Sequence, residues 1–253
     1  SCERLAKRVG VSRFESDDFA VRSHVLADRA WKEGRYADDV AAVAVAPAFD
    51  LVKQDDGPRG DSTVEAAGKL KPAFDRDFGL LTAASSSFLT DGGSAVLLMS
   101  AQKAKKLGYK SRAVLRDWVY AAGDPLEELL AGPALTIPKL LEKNKLTVKD
   151  IGVWEIHEAF AAQVVANLKL VADKKWVKDR VGSDVFGEIP LDKLNLWGGS
   201  LSLGHPFGAT GGRLISTAMK RLETSGARYA VVSGCAAGGH GSAILIENPS
   251  AVN

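Results

Sequence analysis

Residues 195–247 read NLWGGSLSLGHPFGATGGRLISTAMKRLETSGARYAVVSGCAAGGHGSAILIE. A glycine-rich turn at 198–212 opens this stretch. A segment of helical period follows, with Ile215, Ala218, Met219 and Leu222 on one face. Two β-prone runs come next, YAVVSGC at 229–235 and SAILIE at 242–247. Helices alternating with short apolar strands imply a layered α/β fold in which helices cover a sheet.

The same alternation extends upstream. AVLRDWVY at 113–120 and IGVWEIH at 151–157 read as strands, with PKLLEKNKL between them as a helix and TVKD as the connection into the second strand. SAVLLMSAQKAKKLG at 94–108 reads as a helix that is buried at its apolar start and basic towards Gly108. KQDDGPRGDS at 53–62 is an exposed connection. Ser12 and Glu15 fit a capping box, after which Phe19, Ser23, Leu26, Ala27 and Ala30 share one helical face until Gly34. Arg4, Leu5, Arg8 and Val9 already lie at helical spacing, and the first residues hold neither an apolar signal core nor an acid-poor transit segment. This start reads as that of a processed or divided chain.

Composition narrows the class. The 253 residues are 46% hydrophobic, enough for a substantial core, and 33 Lys plus Arg against 31 Asp plus Glu leave a net charge of +2. That balance gives no reason to expect nucleic acid or a membrane surface as partner. No apolar run reaches the ~18 residues of a membrane span. The two cysteines, Cys2 and Cys235, show neither CxxC spacing nor a neighbouring histidine pattern, so neither a disulfide framework nor a metal site is expected.

Three segments bring unusual polar residues to strand ends or glycine-rich turns: IHEAFAAQ at 156–163, the turn at 198–212 and SGCAAGGHG at 233–241. Cys235 closes a strand and precedes small residues whose backbone N–H groups can approach a ligand, although a cysteine there also reads as a small buried hydrophobe. His205 lies between Gly204 and Pro206, where an imidazole can serve as a base to a thiol or a donor to an oxyanion. His157 and Glu158 occupy a strand-to-helix junction; the histidine suits donation to a carbonyl oxygen, and the carboxylate suits a structural role at a helix N-terminus. The glycines fit neither GxGxxG with a following acidic residue nor a GK[ST] phosphate loop.

NLWGGSLSLGHPFGATGGR at 195–213 resembles the thiolase signature around the catalytic histidine, and AVVSGCAAGGHGSA at 230–243 resembles the one around the second catalytic cysteine. SRFESDDFAVRSH, KLKPAF, TAASSSFLTDGGSA and HEAF extend the likeness over almost the whole chain, with Ser85 and Gly60 as local departures from the family pattern. HEAF together with NLWGGSLSLGHPFGATG is most similar to the trifunctional-enzyme branch of the family, the mitochondrial β-subunits and their bacterial counterparts.

The resemblance implies a layered thiolase-like α/β fold, with residues 1–110 ending the N-terminal half and its inserted loop region, and 111–253 forming the C-terminal domain. It implies a 3-ketoacyl-CoA thiolase of fatty-acid β-oxidation, in mitochondria, with coenzyme A and acyl-CoA as substrates and no cofactor. His205 would activate the nucleophilic thiol, His157 would complete the oxyanion site, and Cys235 would exchange a proton with the acetyl-CoA carbon. Ser87 and Phe160 would line the pantetheine path, and the Ala237 N–H would serve a second oxyanion hole. The nucleophilic cysteine belongs to the family's first half, upstream of Ser1. This chain alone is therefore expected to be inactive, completed by a nucleophile-bearing piece in a homo- or hetero-oligomer that can include a hydratase/dehydrogenase subunit. The rival readings are a thiolase-like structural subunit and a coenzyme A- or lipid-binding module.

Overall fold

A computed structural model describes residues 1–251. Helices α1 (Cys2–Val9) and α2 (Arg13–Lys32) open the chain. The Ser12 hydroxyl accepts from the Glu15 N–H while the Glu15 carboxylate accepts from the Ser12 N–H, the reciprocal cap that fixes where α2 begins. A two-stranded hairpin, β1 (Val43–Val45) and β2 (Asp50–Val52), is followed by the short helix α3 (Val64–Gly68), irregular chain, and α4 (Ala101–Leu107). The remaining elements are β3 (Val114–Ala122), α5 (Gly132–Lys143), β4 (Val153–Ile156), α6 (Ala161–Ala172), α7 (Lys174–Trp176), α8 (Ser200–Leu203), α9 (Phe207–Ser225), β5 (Tyr229–Ala236) and β6 (His240–Glu247).

Four strands form a mixed sheet in the order β3-β6-β5-β4, with β4 and β5 parallel and the other two pairs antiparallel. Alternation along the strands explains its two covers. Trp154, Ile156, Val231 and Leu245 join the core beneath α1, α5 and α6, whereas Val153, Ala230, Val232 and Ile246 pack against Leu214, Ala218 and Leu222 of α9. All four residues of β4 are buried, as a strand covered on both faces requires. Helices on both faces of a mixed sheet are the α/β layering expected from the sequence.

One expectation fails. Residues 94–100 are not helical, and Leu97 and Leu98 are 74% and 72% exposed instead of buried. The helix starts only at Ala101, because the Ser100 hydroxyl accepts from the Lys103 N–H and caps it there. The apolar run ahead of that cap, AVLLM, is β-competent and has no strand partner among the described residues. The two local departures are accommodated. Ser85 is buried with its hydroxyl accepting from the Thr82 N–H at 2.8 Å, and Gly60 lies so near Asp28 that a Cβ would meet the carboxylate at 2.1 Å.

Candidate active site

Parallel pairing of β4 with β5 brings the junction after β4 beside the end of β5, and α9 begins above both. His157, His205 and Cys235 thereby line one cleft of ≈ 260 Å³, whose walls are mainly apolar and include Tyr120, Phe207 and Ile244. The two imidazoles lie 4.2 Å apart between ring centroids, and Phe207 packs edge-on to His205 at 5.0 Å.

Each group has a distinct support. The His157 N–H donates to the Ser233 carbonyl, and its Nδ1 lies 2.9 Å from the Ser200 hydroxyl. His205 follows Gly204, whose φ of +87° is a backbone state that a side chain would strain and whose absent Cβ leaves room for Thr90. The Thr90 hydroxyl accepts from the His205 N–H, and His205 Nδ1 lies 2.8 Å from the Thr210 hydroxyl. Cys235 pairs across the hairpin with Gly241, which touches Gly132 at the start of α5. A Cβ on Gly132 would stand 2.7 Å from the Gly241 Cα and 3.1 Å from the Cys235 Cα, so two glycines let the helix end close behind the thiol.

The protonation states divide the labour. Burial, then the neighbouring His205 and Arg213, push His157 down to about 3, so it is neutral at physiological pH. Burial and Arg213 also lower His205, which is less enclosed and stays an available proton acceptor. Burial pushes the Cys235 thiol up to about 12, so it rests protonated, a proton donor before it is anything else. Cys2 is unsuited to nucleophilic work. It is buried in α1, and burial with the adjacent Glu3 raises its thiol to about 12.

Depressed basicity in the fold is an acid liability. The unfolded His157 takes a proton near 6.5 and the folded one only near 3, so within that window the unfolded state binds more protons and stability falls as pH falls. Replacing His157 with Asn is expected to flatten the decline of unfolding free energy between pH 6.5 and pH 3, measured by urea titration. An unchanged slope would remove His157 from the cause.

Glu158 has a structural role, but not the one expected for it. It is fully buried and accepts from Ser23 Oγ, Asn195 Nδ2 (both at 2.7 Å) and the Leu201 N–H, so it ties α2 and the 195 turn to α8 and does not cap α6, the helix that follows it. The three proposed substrate contacts do not line the cleft. The Ser87 N–H donates to the Ala159 carbonyl, Phe160 bridges to Ser86 and packs on Phe74, and Ala237 is exposed in the β5–β6 turn. His240 stands exposed at the cleft wall. Ser200, Thr210 and Arg213 escaped the sequence reading. Ser200 reaches His157, Thr210 reaches His205 five residues before it, and Arg213 donates to the Ser200 hydroxyl; only spacing within the glycine-rich signature hints at these contacts. Among the described residues no cluster of three or more His, Cys, Asp or Glu is arranged to hold a metal ion.

Residues 1–102 match the family described as thiolase, N-terminal domain, and residues 109–248 match thiolase, C-terminal domain. The chain is 51% identical over 248 residues to a probable 3-ketoacyl-CoA thiolase of Caenorhabditis elegans, covering 98% of this chain and 55% of that protein. It is 49% identical over 248 residues to the mitochondrial trifunctional enzyme subunit beta of Mus musculus, covering 98% and 52%. Among solved structures, the acetyl-CoA acetyltransferase of Bacillus anthracis superposes with a TM-score of 0.86 at 34% identity, over 98% of this chain and 59% of that one. The chain spans about half the length of the curated relatives it matches.

Proposed function

Because the chain belongs to the thiolase family, we propose that it supplies the acid–base half of a 3-ketoacyl-CoA thiolase of fatty-acid β-oxidation, completed by a segment that carries the nucleophilic thiol. The observation that carries this reading is the convergence of a neutral donor imidazole, a proton-accepting imidazole and a protonated thiol on one cleft.

The chemistry assigns each group a step. His205 takes the proton of the nucleophilic thiol, whose sulfur then bonds to the 3-keto carbon. The oxyanion accepts hydrogen bonds from His157 and, once protonated, from His205. As the bond between carbons 2 and 3 breaks, its electron pair leaves as the acetyl-CoA enolate, and Cys235 gives its proton to the enolate carbon. The resulting Cys235 thiolate takes the proton of incoming coenzyme A, whose sulfur displaces the enzyme thiolate from the acyl group. In this scheme the Ala237 N–H serves the thioester oxygen during the enolate step, and Ser87 and Phe160 line the pantetheine path. No metal or redox step enters this sequence.

Neither Cys2 nor Cys235 suits the nucleophile's part, since burial holds both thiols protonated. The chain alone is therefore inactive in this reading. Residues 1–110 end the first thiolase half and its loop region, and 111–253 form the second. The cleft's apolar walls, together with exposed Trp118, Tyr120, Leu97 and Leu98, support a closely packed companion segment and an oligomeric enzyme. The Mus musculus relative is a subunit of a mitochondrial trifunctional enzyme, and on that likeness we place this protein in mitochondria with a hydratase/dehydrogenase partner. The native assembly containing this chain should consume a 3-ketoacyl-CoA and free coenzyme A in equal amounts, releasing acetyl-CoA. Binding of coenzyme A without acetyl-CoA release would refute the reading.

A further inference from the structure

His157 works in the proposed scheme only if its free nitrogen carries a proton, and the side chains behind it decide whether it does. Its Nδ1 faces Ser200 Oγ at 2.9 Å, and the same oxygen lies 2.8 Å from Arg213 Nη2. A guanidinium donates and never accepts, so Arg213 occupies one lone pair of the hydroxyl. Ser200 is fully buried and is the first residue of α8, so no helical turn precedes it to offer a carbonyl one turn back. Among the described residues, the only acceptor within reach of its proton is His157 Nδ1. If Nδ1 carried the proton instead, the serine hydrogen would be buried without an acceptor.

We propose that Ser200, oriented by Arg213, holds His157 in the tautomer protonated at Nε2, so that His157 faces the cleft as a hydrogen-bond donor only. Ser200 and Arg213 are positioning residues in this arrangement. The role rests on the reading of the cleft as a thiolase acid–base site, whereas the tautomer is a property of the resting protein.

Thr210, in the first turn of α9, stands behind the second imidazole with its hydroxyl 2.8 Å from His205 Nδ1, and no arginine shares that hydroxyl.

Arg213 has a second effect. Its Nε and Nη1 are buried without hydrogen-bond partners, so its charge is weakly screened, and it lowers the proton affinity of both histidines. When His205 becomes an imidazolium during the reaction, His157 stays neutral and keeps its Nε2 proton for the oxyanion.

The test is long-range ¹H–¹⁵N correlation of the histidine rings in the native assembly at neutral pH, with His157 assigned by its loss in His157→Gln. We expect Nε2 protonated and Nδ1 bare in the unsubstituted protein. Ser200→Ala should give a tautomer mixture and lower thiolysis by up to about 10²-fold, the scale of one oxyanion donor, whereas Ser200→Thr should keep the tautomer. Protonation of Nδ1 in the unsubstituted protein, or an unaltered tautomer in Ser200→Ala, would overturn the proposal. If Ser200→Ala does not fold, the unsubstituted spectrum still decides. An Nε2–H ring in an assembly without thiolysis would sink the functional reading and leave the tautomer assignment standing.

Discussion

His205→Ala is expected to lower thiolysis by the native assembly about 10²–10⁴-fold, the usual contribution of a general base. The loss should appear mainly in kcat, because in the proposed mechanism the group acts on the nucleophile's proton and on the oxyanion that forms afterwards, with little change in the binding of coenzyme A. Its surroundings support that division. The ring is held from behind by Thr210 and through its backbone by Thr90, and Phe207 closes one edge. Burial and Arg213 lower its proton affinity without locking it as His157 is locked, so it is neutral before the reaction and chargeable during it. Removing the ring leaves the fold's core untouched, since His205 belongs to none of the packed apolar clusters. A variant that unfolds at the same urea concentration but has lost turnover would match this account. Undiminished kcat would remove His205 from the mechanism.

Cys235→Ala should produce a loss of similar size, about 10²–10⁴-fold, by a different route. The thiol rests protonated, so in the proposed mechanism its first act is to deliver a proton to carbon. Microscopic reversibility makes the same sulfur the base that removes a methyl proton from acetyl-CoA in the condensation direction. The variant is therefore expected to lose exchange of that methyl group with deuterated solvent, a reaction that does not require net turnover. Retained exchange would show that another group carries the proton. The substitution is small and lies where Gly132 and Gly241 already keep the space tight, so alanine fits without new contacts.

Much of this was legible in the chain. The Ser12–Glu15 capping box, the strand runs before His157 and Cys235, and the α9 face of Ala218 and Leu222 all follow from local pattern and stand in the structure. Those patterns suffice to place His157 and Cys235 at neighbouring strand ends and His205 at the head of the covering helix. Residues 94–100 are ambiguous by pattern because an apolar run next to a basic segment matches a helix as well as a strand, and the Ser100 cap is what ends the ambiguity. Sequence position sets Glu158 against the helix that follows it, whereas its partners come from α2, Asn195 and α8, a meeting that only the tertiary fold arranges. Ser200 and Arg213 are 13 positions apart on two helices, and nothing in local periodicity says that both reach His157's neighbourhood.

The central claim is that this chain provides the acid–base groups and not the nucleophile. It is tested most directly by quenching the native assembly during turnover of a 3-ketoacyl-CoA and mapping the acylated residue by peptide mass spectrometry. The account expects the acyl group on a cysteine thiol other than Cys2 and Cys235, with both of these unmodified. An acyl group on Cys235 or Cys2 would contradict it, as would turnover with no acylated cysteine anywhere in the assembly.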